Sequence, residues 1–125
     1  MMSIAETGGS MPTQSKVKRA HLKAPLPAFA GTVAKKYPEV WKAYTQLGAA
    51  VAEAGPLTER ERRLVKIALA IGSRSEGAAH SHARQALAEG LLPDEIRHVC
   101  LLAATTLGFP ASAAALSWVQ DVLKD

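Results

Sequence analysis

Apolar positions along this chain recur with the period of a helix and nowhere with the strict alternation of a half-buried strand. Between Pro38 and Gly55, Val40, Trp41, Tyr44, Leu47 and Val51 fall at helical spacing, which predicts an amphipathic helix. Pro38 suits its first turn, where the missing N–H would find no partner anyway, and Gly55 suits its end. The next segment, LTERERRLVKIALAIG from Leu57 to Gly72, opens with Thr58 and Glu61 at the spacing of a capping box. From Leu64 to Ile71 it is apolar on every side except at Lys66, which predicts a central, buried helix.

Gly72 and Ser73 then interrupt the pattern. SEGAAHSHARQALAEG (75–90), PDEIRHVCLLAATTLG (93–108) and PASAAALSWVQDVL (110–123) follow, two of them closed by glycine. Upstream, APLPAFAGTVAKKYP (24–38) reads as an extended entry and a short helix. Internal repeats and heptads are absent. The expectation is an all-α domain of about five or six helices over residues 24–125. Residues 1–23 mix Gly, Ser, Thr, Lys and Gln without an apolar period, and read as a disordered leader.

Composition supports that picture and narrows the partners. Of 125 residues, 48% are hydrophobic and 5% aromatic, so the helices must pack through small side chains, mostly alanine. So much small-residue helix surface leaves more apolar area than a monomer of this size covers, which predicts a homo-oligomer. The net charge of +4 is uneven: the leader carries +3, with Lys16, Lys18, Arg19 and Lys23 against Glu6, and the remainder only +1. A solvated leader explains this without a nucleic-acid partner. No apolar run approaches the roughly 20 residues of a membrane span. Cys100 stands alone, so no intrachain disulfide forms, as in a reducing cytoplasm.

The candidate chemistry lies in residues 75–90. At 100° per residue, Ala79, Ala83, Ala86 and Leu87 form an apolar stripe, with His82 on one edge and His80 on the other. Glu76, His80 and Arg84 run up the second edge at four-residue spacing, where neighbours touch. The two histidines look past each other, so one metal ion would struggle to collect both from one helix, and no metal site is expected there. Two readings are open for each edge. Glu76–His80–Arg84 is either a solvated charge ladder or an acid–base pair with a cation beside it. His82 is either a hydrogen-bonded core histidine or a proton-transfer group. Lys66 either snorkels to water or is a buried amine that holds an anion.

LTERERRLVKIALAIG followed by HARQALAEGLLPDEIRHVCLLAATTLGFPASAAA resembles the carboxymuconolactone decarboxylase family, which includes the AhpD-like alkylhydroperoxidases. The residues that carry the likeness are Leu57 to Glu61 in the order L-x-x-R-E, His82 with Ala86 and Gly90, Glu95–Ile96, and the Gly108–Phe109–Pro110 turn. The likeness spans roughly residues 36 to 123. It implies an all-helical AhpD-like domain that assembles as trimers or hexamers.

It also implies one of two chemistries. The peroxidase branch carries Cys-x-x-Cys with a histidine four residues on and a relay glutamate on the preceding helix. Counted back from His82, this chain has Ala78 and Ser75 at the cysteine positions and Arg63 at the relay position. Serine and alanine supply neither an attacking nor a resolving thiolate, so thiol peroxidase activity is disfavoured. Cys100, in an apolar run on another helix, is expected to be an inert core residue. The decarboxylase branch implies cofactor-free proton transfer or decarboxylation on a small organic acid or lactone. That assigns acid–base work to His82, support to Glu76 and His80, and an anion clamp to Lys66 or Arg84. A different class remains open: an oligomeric small-molecule-binding protein that has kept the family's pocket and lost its chemistry.

Overall fold

The computed structural model describes residues 30–123, so the basic leader expected over residues 1–23 lies outside the described residues. Six α-helices and one 3-10 turn occur among them, with no strand: α1 (Ala30–Lys36), α2 (Pro38–Ala52), α3 (Glu59–Gly72), α4 (Glu76–Ala88), α5 (Pro93–Leu102), the 3-10 turn (Ala103–Thr105) and α6 (Phe109–Leu123). The all-α expectation holds. The chain divides between Glu59 and Arg60 into two compact units.

In the first unit α1 and α2 pack on each other through a tight joint at Tyr37. The Tyr37 N–H donates to the Val33 carbonyl at 2.8 Å, and the Tyr37 carbonyl accepts from the Trp41 N–H at 3.0 Å. Pro38 occupies the first turn of α2, as its sequence position predicts. Trp41 and Tyr44 pack tilted, 5.6 Å between ring centres. Ala49 and Ala52 are the buried residues of α2. Tyr37, Val40, Tyr44, Leu47 and Val51 are each 55–62% exposed. At alternating three- and four-residue spacing they form one exposed apolar seam.

In the second unit α4 and α5 both lie along α6. Ile67 and Ile71 of α3, Ala83 and Ala86 of α4, Ile96 and Cys100 of α5, and Ala115 and Val119 of α6 build one core. Alanine at the contacts allows the backbones to approach closely, while isoleucine fills the remaining volume. The expectation that α3 is buried all round fails. Ile67, Ala70 and Ile71 are buried, but Val65 and Leu69 are 45% and 66% exposed. One stripe of α3 serves the core, and its other apolar side is left open.

The joints of this unit place the candidate residues. The break between α3 and α4 comes at Arg74, whose φ of 59° is left-handed, two residues beyond Gly72. The Ser75 N–H returns to the Ala70 carbonyl at 3.0 Å, and the Ser75 hydroxyl then accepts from the Ala78 N–H at 3.3 Å. Ser75 is therefore the N-cap of α4. At the other end Gly90 has φ of 94°, and the Leu91 N–H reaches the Ala86 carbonyl at 2.9 Å. That is a Schellman closure, whose left-handed backbone favours glycine at position 90. The Glu95 carboxylate accepts from the Leu92 N–H at 2.8 Å and pairs with Arg60. These two partners, the backbone first, hold its pKa below the ordinary carboxylate value.

Candidate functional site

The buried stripe of α3 consists of Arg63, Ile67, Ala70 and Ile71, so a guanidinium stands one turn before Ile67 and two before Ile71. Burial of an arginine is costly unless its charge is matched. Glu89, at the C-cap of α4, supplies the match. Arg63 Nε donates to Glu89 Oε1 at 2.9 Å and Arg63 Nη2 donates to Glu89 Oε2 at 2.8 Å. The pair is a two-pronged fork between side chains 6% and 2% exposed. The remaining terminal nitrogen, Arg63 Nη1, lies 2.6 Å from His82 Nδ1. His82 and Glu89 are seven residues apart on one helix, so two turns bring them to the same face.

Electrostatics follow from that packing. Burial, then Arg63, then Lys66 push the His82 pKa down from 6.5 to about 4, with Glu89 pulling the other way. His82 is therefore a neutral imidazole at neutral pH. Lys66, one turn beyond Arg63 on α3, is half-buried. Burial first, then Arg63 and Arg62, lower its pKa from 10.5 to about 8, again against Glu89. Two cations and one carboxylate thus act on His82, leaving an excess of positive charge beside it. An anion placed there would relieve it.

The other sequence candidates sit differently. Glu76 and His80 are brought together with Asp121 of α6 and not with His82. His80 Nε2 lies 3.1 Å from Asp121 Oδ2 and 3.7 Å from Glu76 Oε2. The ligand-type atoms of the three lie within 4.8 Å of one another, at a largely exposed edge. Arg84 is half-buried on α4, and its Nε is buried without a hydrogen bond. Cys100 is fully buried, and burial raises its thiol pKa to about 11. The Ser112 hydroxyl donates to the Cys100 carbonyl at 2.9 Å and fixes α6 against α5 there.

Sequence reasoning missed Arg63 and Glu89. Both carried a signal. Arg63 is four residues before Ile67 and eight before Ile71, in line with the buried stripe, and Glu89 is two turns from His82. A charged residue on each of two apolar faces is the pattern of a buried ion pair.

The comparisons with known proteins point one way. The model of the carboxymuconolactone decarboxylase family matches residues 38–121, from the start of α2 to near the end of α6. An uncharacterized protein of Haemophilus influenzae (strain ATCC 51907 / DSM 11121 / KW20 / Rd) is 35% identical over 74 residues, which are 59% of this chain and 62% of that relative. The chain thus spans under two thirds of the relative's length. Two thirds of the chain, including Arg63, Lys66, His82 and Glu89, lies within the family match, and the chain belongs to the carboxymuconolactone decarboxylase family.

Proposed function

We propose that the chain performs cofactor-free proton transfer or decarboxylation on a small organic acid or lactone at the His82 cluster. The observation that carries this reading is the buried Glu89–Arg63–His82 contact with Lys66 beside it. Moving a proton next to a carbonyl, or releasing carbon dioxide from a β-positioned carboxylate, shifts negative charge onto oxygen. Fixed positive groups and hydrogen-bond donors in a buried site favour that shift. Lys66 is the anion clamp of this reading, since an amine with pKa about 8 is still mostly cationic at neutral pH. Arg84, the other clamp suggested by the sequence, has an unpaired Nε but lies on the His80 edge of α4 and does not serve this cluster. Arg63 and Glu89 take over the support of His82 that the sequence suggested for Glu76 and His80.

The test offers carboxylated lactones and small oxo acids to the protein and follows carbon dioxide release and C–H exchange in deuterated water. Turnover by the parent protein and its loss in a folded His82→Ala variant are expected, with Lys66→Met weakening substrate binding. A second reading, an oligomeric binder without chemistry, is favoured by Ser75 and Ala78. At these positions the peroxidase branch carries thiols, and here both serve only to cap α4. Binding without turnover would favour it. A His82→Ala protein that is destabilised but binds normally per folded molecule would end both readings at His82.

We place this activity in a cytoplasmic homo-oligomer, a trimer or hexamer. The support is the exposed apolar seam of Tyr37, Val40, Tyr44, Leu47 and Val51, together with Val65 and Leu69 on α3. Among the described residues no helix is long and apolar enough to cross a membrane. Light scattering at micromolar concentration should give a small multiple of the 13.2 kDa chain mass. A monomer at that concentration would sink the assembly.

A further inference from the structure

We propose that Arg63 is a positioning residue that holds His82 neutral with its hydrogen on Nε2, so that His82 meets its ligand as a hydrogen-bond donor to an anionic oxygen and not as the base. This rests on the His82 cluster being the site named above, and it deepens that reading by naming the atom that faces the ligand.

A guanidinium has five N–H donors and no acceptor. With Arg63 Nη1 2.6 Å from His82 Nδ1, the hydrogen between them belongs to Arg63. A second hydrogen on Nδ1 would point straight at it. Nδ1 therefore presents its lone pair, and a neutral imidazole in that state carries its hydrogen on Nε2. Arg63 cannot turn aside to admit the other tautomer. Its Nε and Nη2 are occupied by the two oxygens of Glu89, at 2.9 and 2.8 Å. The planar fork uses one edge of the guanidinium and aims the remaining nitrogen at His82. Exposures of 6% and 2% keep water from competing for either partner.

Nor can His82 escape by taking a second proton at Nδ1. Arg63 and Lys66 both oppose a cation there, and Glu89, the carboxylate that acts on the ring, already has both oxygens on Arg63. What remains for a ligand is the Nε2 edge, which gives a hydrogen and accepts none. A carboxylate or enolate oxygen is the chemical class that such an edge binds. The proton-accepting step then falls to another group. Lys66 keeps its place as the cationic clamp, so that group is neither His82 nor Lys66.

The experiment is nitrogen NMR on the full chain labelled with 15N-histidine, reading the coupling between ring nitrogens and ring protons of His82 without any ligand. The resonance is assigned by its loss in His82→Gln. The expected result is an unprotonated Nδ1 and a protonated Nε2, unchanged from pH 8 to pH 5. A hydrogen on Nδ1, or an imidazolium forming near pH 6.5, overturns the proposal. The double variant Arg63→Met/Glu89→Leu removes both charges together and leaves no unmatched ion in the core. In it, His82 should titrate higher than in the parent, because Arg63 opposes its charge more than Glu89 favours it, and should populate both tautomers. If titration and tautomer stay as in the parent, Arg63 only fills space and the proposal fails. Neither spectrum depends on turnover, so a protein without catalytic activity still reveals its tautomer, and the two failures are told apart.

Discussion

Replacing Arg63 with methionine costs the second unit about 3–5 kcal/mol, because it strips the buried Glu89 carboxylate of its two-pronged partner. The Glu89 side chain is 2% exposed and accepts from Arg63 at both oxygens. For a unit of this size a loss on that scale lowers the melting temperature by ten degrees or more. Arg63→Met/Glu89→Leu should recover most of the loss, since removal of both charges also removes their desolvation cost. Urea unfolding of the two variants beside the parent checks this. A single variant within about 1 kcal/mol of the parent would show that the fork contributes little and that the core relaxes around Glu89.

Acid should weaken the protein through His82 well before the carboxylates titrate. The folded state holds its pKa near 4, below the 6.5 of the free side chain. Between those values the unfolded chain binds a proton that the folded chain refuses, so stability falls as pH drops from about 6.5 to about 4. The full effect is at most about 3 kcal/mol. Lys66 has the same sign in another window. Its pKa of about 8 lies below 10.5, so stability rises as pH climbs from about 8 to about 10.5 and the cost of a half-buried charge is released. Melting temperature against pH should climb, level off between about 6.5 and 8, and climb again. His82→Gln should flatten the acid limb alone. An acid limb identical in parent and variant would mean that His82 is not the group responsible.

The helices are legible in the sequence because their punctuation is local. Pro38 at a first turn, Ser75 as a cap and Gly90 at a left-handed joint are each settled by the backbone of a few neighbouring residues. The pattern puts the break after α3 near Gly72 and Ser73, yet Arg74 takes the left-handed conformation, which an arginine does not advertise. Burial is less legible because it depends on neighbours remote in sequence. Val65 and Leu69 look like core, and the second unit covers only the stripe of Ile67 and Ile71. At the candidate site, His82 and Lys66 stand out as residues out of keeping with their surroundings. Their partners stand out less, because Arg63 sits in the charged stretch ERERR and Glu89 sits beside the helix-ending Gly90. Only the crossing of α3 and α4 makes one ion pair of them.

The burial of Cys100 has a practical consequence. Its sulfur lies at 0% exposure, with a thiol pKa near 11, in an element whose neighbour is tied to it through the Ser112 hydroxyl. A thiol reagent in solution therefore meets this sulfur only in molecules whose helical core has opened. The chain contains one cysteine, so every alkylation event is an opening event at a known address. The protein thus carries its own clock for core breathing, read by mass with neither a label nor a mutation.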